Sequence, residues 1–337
     1  MKLQIIKLAL ALTMLIITGF SLNAAAQQNA YRISAPVTHK NLSVFLIHGK
    51  NELDNENILT LQEAMEQKIL VVYETSDVNE LTVQNKSAKY EVFIQSGDIV
   101  KGGKQDRVLS IDIIIPAKSG KISIEAFCVE SGRWQPRKGE NVGEFSTSNE
   151  RIVSKDLKLA ANKARSQSDV WREVEKTQGK LSDNVGTTVN AAASRTSLQL
   201  SLENKEVMAT TDEFVKKLSG IINGRNDVIG YAFVINGKIN SADVYASNFL
   251  FKKLWLKLLK ASAVEAVSEL NEARAARVVK VSDIKAFLDG ADRAKSEERT
   301  VTDRVKAVTR EDDENIVFES RDSKAKVMIH KSYVRKQ

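Results

Sequence analysis

Residues 99–134 read "IVKGGKQDRVLSIDIIIPAKSGKISIEAFCVESGRW" and hold the only cysteine of the chain. Strand side chains alternate with period two, so Leu109, Ile111, Ile113 and Ile115 share one face, and Ile122, Ile124, Ala126 and Cys128 share another. Pro116 has no N–H to give a ladder and stops the first run. Ser119-Gly120 is turn chemistry. The stretch predicts an antiparallel hairpin across that turn. Its open end gathers Gln105 and Arg107 from one strand with Glu130, Arg133 and Trp134 from the other, and Lys104, Gln105, Asp106 and Arg107 surround the Gly102-Gly103 bend.

Upstream, "NLSVFLI", "ILVVYE", "NELTVQN" and "KYEVFIQ" are short apolar or alternating runs of strand type. "ENILTLQEAMEQK" between them has helical spacing. Downstream, residues 135–154 are polar and glycine-bearing and are read as a long loop. Leu157, Ala160, Ala164, Trp171 and Val174 then form a helical stripe that Gly179 is expected to end. Residues 180–196 lack periodicity. "TTDEFVKKLSGII" opens on Thr210 with Glu213 three residues later, a capping-box signature. "DVIGYAFVINGKINSADVY" is a second hairpin, because Asn236-Gly237 tolerates the positive φ of a tight turn. From Ser247 a long helix turns Leu254, Trp255, Leu258 and Leu259 inward, and "NIVFES" and "KAKVMIH" are short terminal strands. "VFIQSGDIV" overlays "AFVINGKIN", either as an internal duplication or because hairpins share this pattern. The fold class is therefore α+β. A mainly antiparallel β-rich half spans 35–150. A helix-rich half with a second hairpin spans 151–335, as a separate domain or continuous with the first.

Residues 1–26 read as a secretory signal: Lys2 and Lys7, then an apolar run from Leu8 to Ile17, then Ala24-Ala25-Ala26. The run is too short to span a bilayer. No later segment is apolar for long enough, so the mature chain is expected in an exported space, periplasmic or secreted, with no transmembrane segment. Cys128 has no partner for a disulfide there. The chain is basic, with 50 Lys and Arg against 43 Asp and Glu. These charges are interleaved and no basic run carries aromatics, so nucleic acid is not an expected partner.

No CxxC, HExxH or Asp-rich loop occurs, so no metal and no cofactor are expected. No nucleophile–base pair is visible and no catalytic residue is assigned; Cys128 continues an apolar row. The candidate ligand-binding residues are Lys104, Gln105, Arg107, Glu130, Arg133 and Trp134. Gly102-Gly103 lets the backbone bend so that successive amides cup an anion, or it makes a bulge with a solvated rim. Arg133 beside an indole holds a carboxylate or phosphate, or else pairs with Glu130 inside the fold. Lys253, Lys257 and Lys260 form a basic helix face, either solvated or facing acidic lipid.

"GGKQDR" together with "CVESGRW" resembles the family of the ARG and rhodanese-phosphatase-superfamily-associated protein domain, where ARG stands for ADP-ribosylglycohydrolase. "QSDVWREV", "VIGYAFVINGKI" and "IHKSYV" are similar to it as well, and the resemblance spans about 35–335. It implies an association with ADP-ribose and phosphate chemistry and supplies no catalytic residues to carry over. Three functions follow. The first is a non-catalytic module binding an anionic small molecule or an envelope protein. The second is a hydrolase on a nucleotide-derived or phosphorylated substrate, with Glu130 as acid/base and Arg107 and Arg133 holding negative charge. The third is an envelope interaction protein using the long helix.

Overall fold

Strand Val228–Ile235 is buried along all eight residues. Its side chains alternate between two covered faces. Tyr231, Phe233 and Ile235 face the helix Asn248–Ser268 with Phe251, Leu254, Trp255 and Leu258. Ala232 and Val234 face the helix Val281–Asp292 with Ile284, Phe287 and Leu288. A strand covered on both faces needs an apolar residue at nearly every position, and this one has it. Each large side chain buried here contributes about 1.5–3 kcal/mol.

The computed structural model describes residues 31–53, 57–270 and 278–336. The expected leader, residues 1–26, lies outside them. The described chain is α+β, in one compact unit. A nine-stranded antiparallel sheet takes Leu42–His48 from the first half and places it beside Val228–Ile235. Lys238–Tyr245, Val327–Arg335, Asn315–Asp322, Val305–Glu311 and Lys295–Thr300 follow in that order. Asn236 and Gly237 take φ of 52° and 71°, so the second hairpin turns where its residue types place the turn. A six-stranded and a three-stranded sheet enclose a second core that includes Leu81, Val92, Leu109, Ile113, Ile115 and Ile124.

The hairpin expected across Ser119-Gly120 forms only at its open end. Arg107–Leu109 pairs with Ala126–Cys128, with Arg107 opposite Cys128. Beyond Ser110 the chain leaves that sheet, and Ile113–Ile115 pairs instead with Val92–Ile94 in the three-stranded sheet. Residues Ile122–Glu125 pair with Glu80–Val83. The burial pattern holds because Leu109, Ile113 and Ile115 enter the same core from two sheets. Period two reports which side chains are covered and is silent on which strand is the neighbour.

Other local expectations shift as well. Within the expected loop 135–154, Phe145–Arg151 is a strand on Asp98–Gly102. The 157–174 stripe is two helices. Lys155–Leu159 runs into a π-helical turn, Ala160–Ala164, which ends at Arg165 with φ 50°. Gln167–Val185 then starts on a Ser166 cap, passes through Gly179 and stops at Gly186. The helix read from Thr210 begins earlier, at Lys205, with Asn204 accepting from the Glu206 and Val207 amides. Thr210 is interior to it and donates to the Glu206 carbonyl. The overlay of 92–100 on 232–240 has no counterpart in pairing, since Glu91–Ile94 and Asp98–Gly102 lie in different sheets. The basic face of the long helix is turned inward. Lys253 reaches Glu63 at 3.0 Å, Lys257 reaches Asp98 at 2.9 Å, and Lys260 pairs with Glu150. Among the described residues no helix is long and apolar enough to cross a membrane.

Candidate functional site

The Gly-Gly bend is held by the chain's own carboxylates. Gly102 and Gly103 take φ of 114° and 54°, in the region that favours glycine. A Cβ on Gly103 would meet Glu74 Oε2 at 2.8 Å. The Gly102 amide donates to Asp106 Oδ1 at 3.0 Å and the Lys104 amide to Glu74 Oε2 at 3.0 Å. The Asp106 amide donates to Glu130 Oε2 at 3.2 Å. The cup expected for an external anion is therefore lined by amides already given to Asp106, Glu74 and Glu130.

The arginines are engaged in the same way. Arg107, fully buried, meets Glu74 at 3.3 Å, and its Nη1 contacts Cys128 Sγ. Arg133 Nε donates to Glu130 Oε1 at 2.7 Å, and its Nη1 donates to the Gln135 carbonyl at 2.6 Å. Arg137, outside the candidate set, grips both oxygens of Asp106 at 2.8 and 2.6 Å and reaches Glu140 at 2.7 Å. Ser197 and Trp171 close the group by donating to Asp106 Oδ2 and the Glu130 carbonyl. Gln105 Nε2 donates to that same carbonyl at 2.9 Å. Such charge-assisted, bidentate contacts are the strong ones. The signal for Arg137 and Glu140 was present in "RKGE", but it fell inside a segment read as loop.

All six candidate residues lie together, in two layers. Gln105, Arg107 and Glu130 are the buried support, with half-buried Arg133 laid against them. Trp134 stands outside it, 45% exposed. The Lys104 ammonium is 5.1 Å from the Trp134 ring centroid, and the Arg107 guanidinium carbon is 6.0 Å from it. Both are within cation–π range. Cys128 is buried beneath, and burial pushes its thiol up to about 11 against the opposing pull of Arg107. A thiol held protonated is a poor nucleophile.

A second charged group is assembled from residues far apart in sequence. His330 Nδ1 lies 2.8 Å from Asp112 Oδ2, and its Nε2 lies 3.1 Å from Asp243 Oδ1. Carboxylates only accept, so the ring carries both protons. Burial disfavours that charge, but Asp112 and Asp243 outweigh it and raise His330 to about 9. Tyr245 stacks on the ring at 4.5 Å, and Gln95 Nε2 donates to the Tyr245 hydroxyl at 2.7 Å. The Ser96 amide and Ser320 Oγ donate to Asp112 at 2.8 and 2.9 Å. Burial works against the Asp243 charge, yet Lys158 at 3.8 Å, His330 and Arg151 hold its carboxyl well below the usual range. Nearby, burial raises Glu265 to about 7 against hydrogen bonds from Asn240 and the Lys155 amide. The sequence offered one sign of this group: Asp112, a charge in the middle of the apolar run "SIDIII".

Each His330 nitrogen and each Glu130 oxygen has an internal partner, while Asp243 Oδ2 has no hydrogen-bond partner among the described residues and lies 3.8 Å from the Lys158 ammonium. Among the described residues no three or more His, Cys, Asp and Glu side chains are arranged to hold a metal ion. No curated protein and no solved structure matches this chain. The family model of the ARG and Rhodanese-Phosphatase-superfamily-associated Protein domain matches residues 30–334, nearly the whole described chain, and the protein belongs to that family.

Proposed function

We propose that the protein is an exported, non-catalytic binding module that meets its ligand at the Trp134 loop. The observation that carries this reading is the contrast inside the loop. Its base is tied by Arg133 and Arg137 to Glu130, Asp106 and Glu140, while Trp134 stays exposed beside the Lys104 ammonium. An aromatic ring on a rigid base loses little entropy on contact. A ring with a cation at its side favours a flat, anionic ligand, with the ring stacking on the indole and the anion at Lys104. Nucleotide-derived and phosphorylated aromatic compounds have that shape.

The hydrolase reading needs Glu130 to exchange a proton with a substrate. Glu130 is fully buried and both its oxygens accept internal hydrogen bonds, which favours binding over catalysis at this place. The envelope-interaction reading used the long helix, and the lysines of that helix, Lys253, Lys257 and Lys260, are engaged by Glu63, Asp98 and Glu150.

A thermal-shift series with AMP, ADP-ribose and glucose 6-phosphate tests the proposal, since a ligand that binds only the folded state raises the melting temperature. AMP or ADP-ribose is expected to raise it for the native protein, and glucose 6-phosphate, with no flat ring, is not. Trp134→Ala and Lys104→Ala should melt like the native protein and lose the response. A Trp134→Ala variant that still responds, or a native protein that answers to none of the three, overturns the proposal.

A further inference from the structure

Arg151, at the end of the strand Phe145–Arg151, is a buried cation without a counter-ion. The one hydrogen bond of its side chain runs from Nη2 to the Ser96 carbonyl at 2.8 Å. Its Nε is buried with no hydrogen-bond partner, and the guanidinium has no ion pair among the described residues. Buried charges are ordinarily paired, so this one has capacity for an anion.

Lys158 is a second cation at the same place, on the helix Lys155–Leu159. Its side chain is 12% exposed, and its contact to a carboxylate is the 3.8 Å approach to Asp243 Oδ2. That oxygen has no hydrogen-bond partner either, and neither has Asn240 Oδ1 on the same strand. Arg151 and Lys158 both hold Asp243 ionised, and Arg151 together with burial lowers Lys158, which brings its neutral amine within reach. Glu265 Oε1 accepts from Asn240 Nδ2 at 2.9 Å and from the Lys155 amide at 3.0 Å, so this carboxyl stands against the helix that carries Lys158.

We infer that Arg151 and Lys158 form a second binding site, for a small 2-oxo acid whose carboxylate pairs with Arg151 and whose carbonyl carbon forms an imine with Lys158. A planar guanidinium suits the carboxylate, and a desolvated lysine suits the carbonyl. Glu265, raised to about 7 by burial, takes a proton from the Lys158 ammonium. The amine lone pair then forms the C–N bond while the carbonyl π pair moves onto oxygen. That oxygen receives one proton from the nitrogen and one back from Glu265, and leaves as water. The iminium keeps one positive charge opposite Asp243, as the ammonium did, and no oxidant or reductant is consumed. Such an imine is reversible, so the site binds without turnover. It is independent of the Trp134 loop.

Cyanoborohydride reduces an imine to a stable secondary amine. Incubating the native protein with pyruvate and cyanoborohydride, then mapping the labelled peptide by mass spectrometry, tests the site. The label is expected on Lys158. Methyl pyruvate, the same ketone without the carboxylate charge, should label it about tenfold less through loss of one charge-assisted contact. Lys158→Arg keeps a cation facing Asp243 and should melt like the native protein without taking the label there. Arg151→Gln should lose the preference for pyruvate over its ester. Label that spreads over surface lysines and spares Lys158 overturns the site, as does equal labelling of Lys158 by the acid and the ester. An Arg151→Gln protein that still prefers pyruvate overturns the oxo-acid assignment.

Discussion

Two buried charge groups sit in this fold, and they differ in how the chain builds them. The Arg107–Arg133–Arg137 group draws nearly all its members from residues 102–140, with Glu74, Trp171 and Ser197 added from outside. Three guanidinium groups meet four carboxylates there. The His330 group joins Asp112, Lys158, Asp243 and His330 from four separate parts of the chain. The first braces one loop. The second ties the break in the first-half strand run to two central strands of the large sheet. A local group can be lost with its loop, whereas a non-local group can be lost only by loosening the packing of whole elements.

Breaking the local group should have the largest effect. Arg133→Ala takes the closer guanidinium from buried Glu130 and leaves Arg137 at 3.9 Å, and removing one partner of such a buried pair costs about 3–5 kcal/mol. Equilibrium urea unfolding measures this. A loss under 1 kcal/mol would mean that Arg133 is not structural, and that the loop base is free for a ligand.

The His330 group should reveal itself through pH. Its folded value is about 9 against an ordinary 6.5, so its stabilisation is complete below about 6.5 and is lost as pH rises through about 9. At about 1.4 kcal/mol per pH unit, the loss comes to about 3–4 kcal/mol. Glu265, raised to about 7, lowers stability over a separate window, between about 4.5 and 7, because its folded form prefers the proton. His330→Gln should flatten the upper window and spare the lower one. Stability curves taken from pH 5 to 10 resolve the two, and a His330→Gln curve parallel to the native one would remove the imidazolium from the account.

A smaller effect is expected at Cys128, which lies under the local group. Cys128→Ser buries a hydroxyl with the Val78 carbonyl nearby, so the expected loss is about 1 kcal/mol. Thiol labelling of the native protein should be slow, since the group is buried and held up at about 11. Rapid labelling would show that the loop opens readily. The smallest effect on stability belongs to Lys104→Ala, within about 0.5 kcal/mol as for most surface changes. There the expected loss is in ligand response alone.

The alternation of Leu109, Ile113 and Ile115, and of Ile124 and Ala126, was legible as burial because period two depends only on the local chain. The Asn236-Gly237 turn and the Ser247 start of the long helix were legible for the same reason: φ preference and capping are settled within a few residues. The convergence of Arg107, Glu130, Arg133 and Trp134 was also legible, because one strand pairing, Arg107 with Cys128, carries it. What the local chain does not specify is the neighbour. The switch of Ile113–Ile115 to another sheet, the inward turn of Lys253, Lys257 and Lys260, and the meeting of Asp112 with His330 and Asp243 all depend on contacts between residues far apart in sequence. Composition leaves many such pairings equally open. Packing selects among them, since a buried charge is tolerated only where another element brings its partner. The sequence by itself thus determined which side chains are covered and where the chain turns. The tertiary structure decided which charges meet, and so which of the candidate residues brace the loop and which one, Trp134, is left facing solvent.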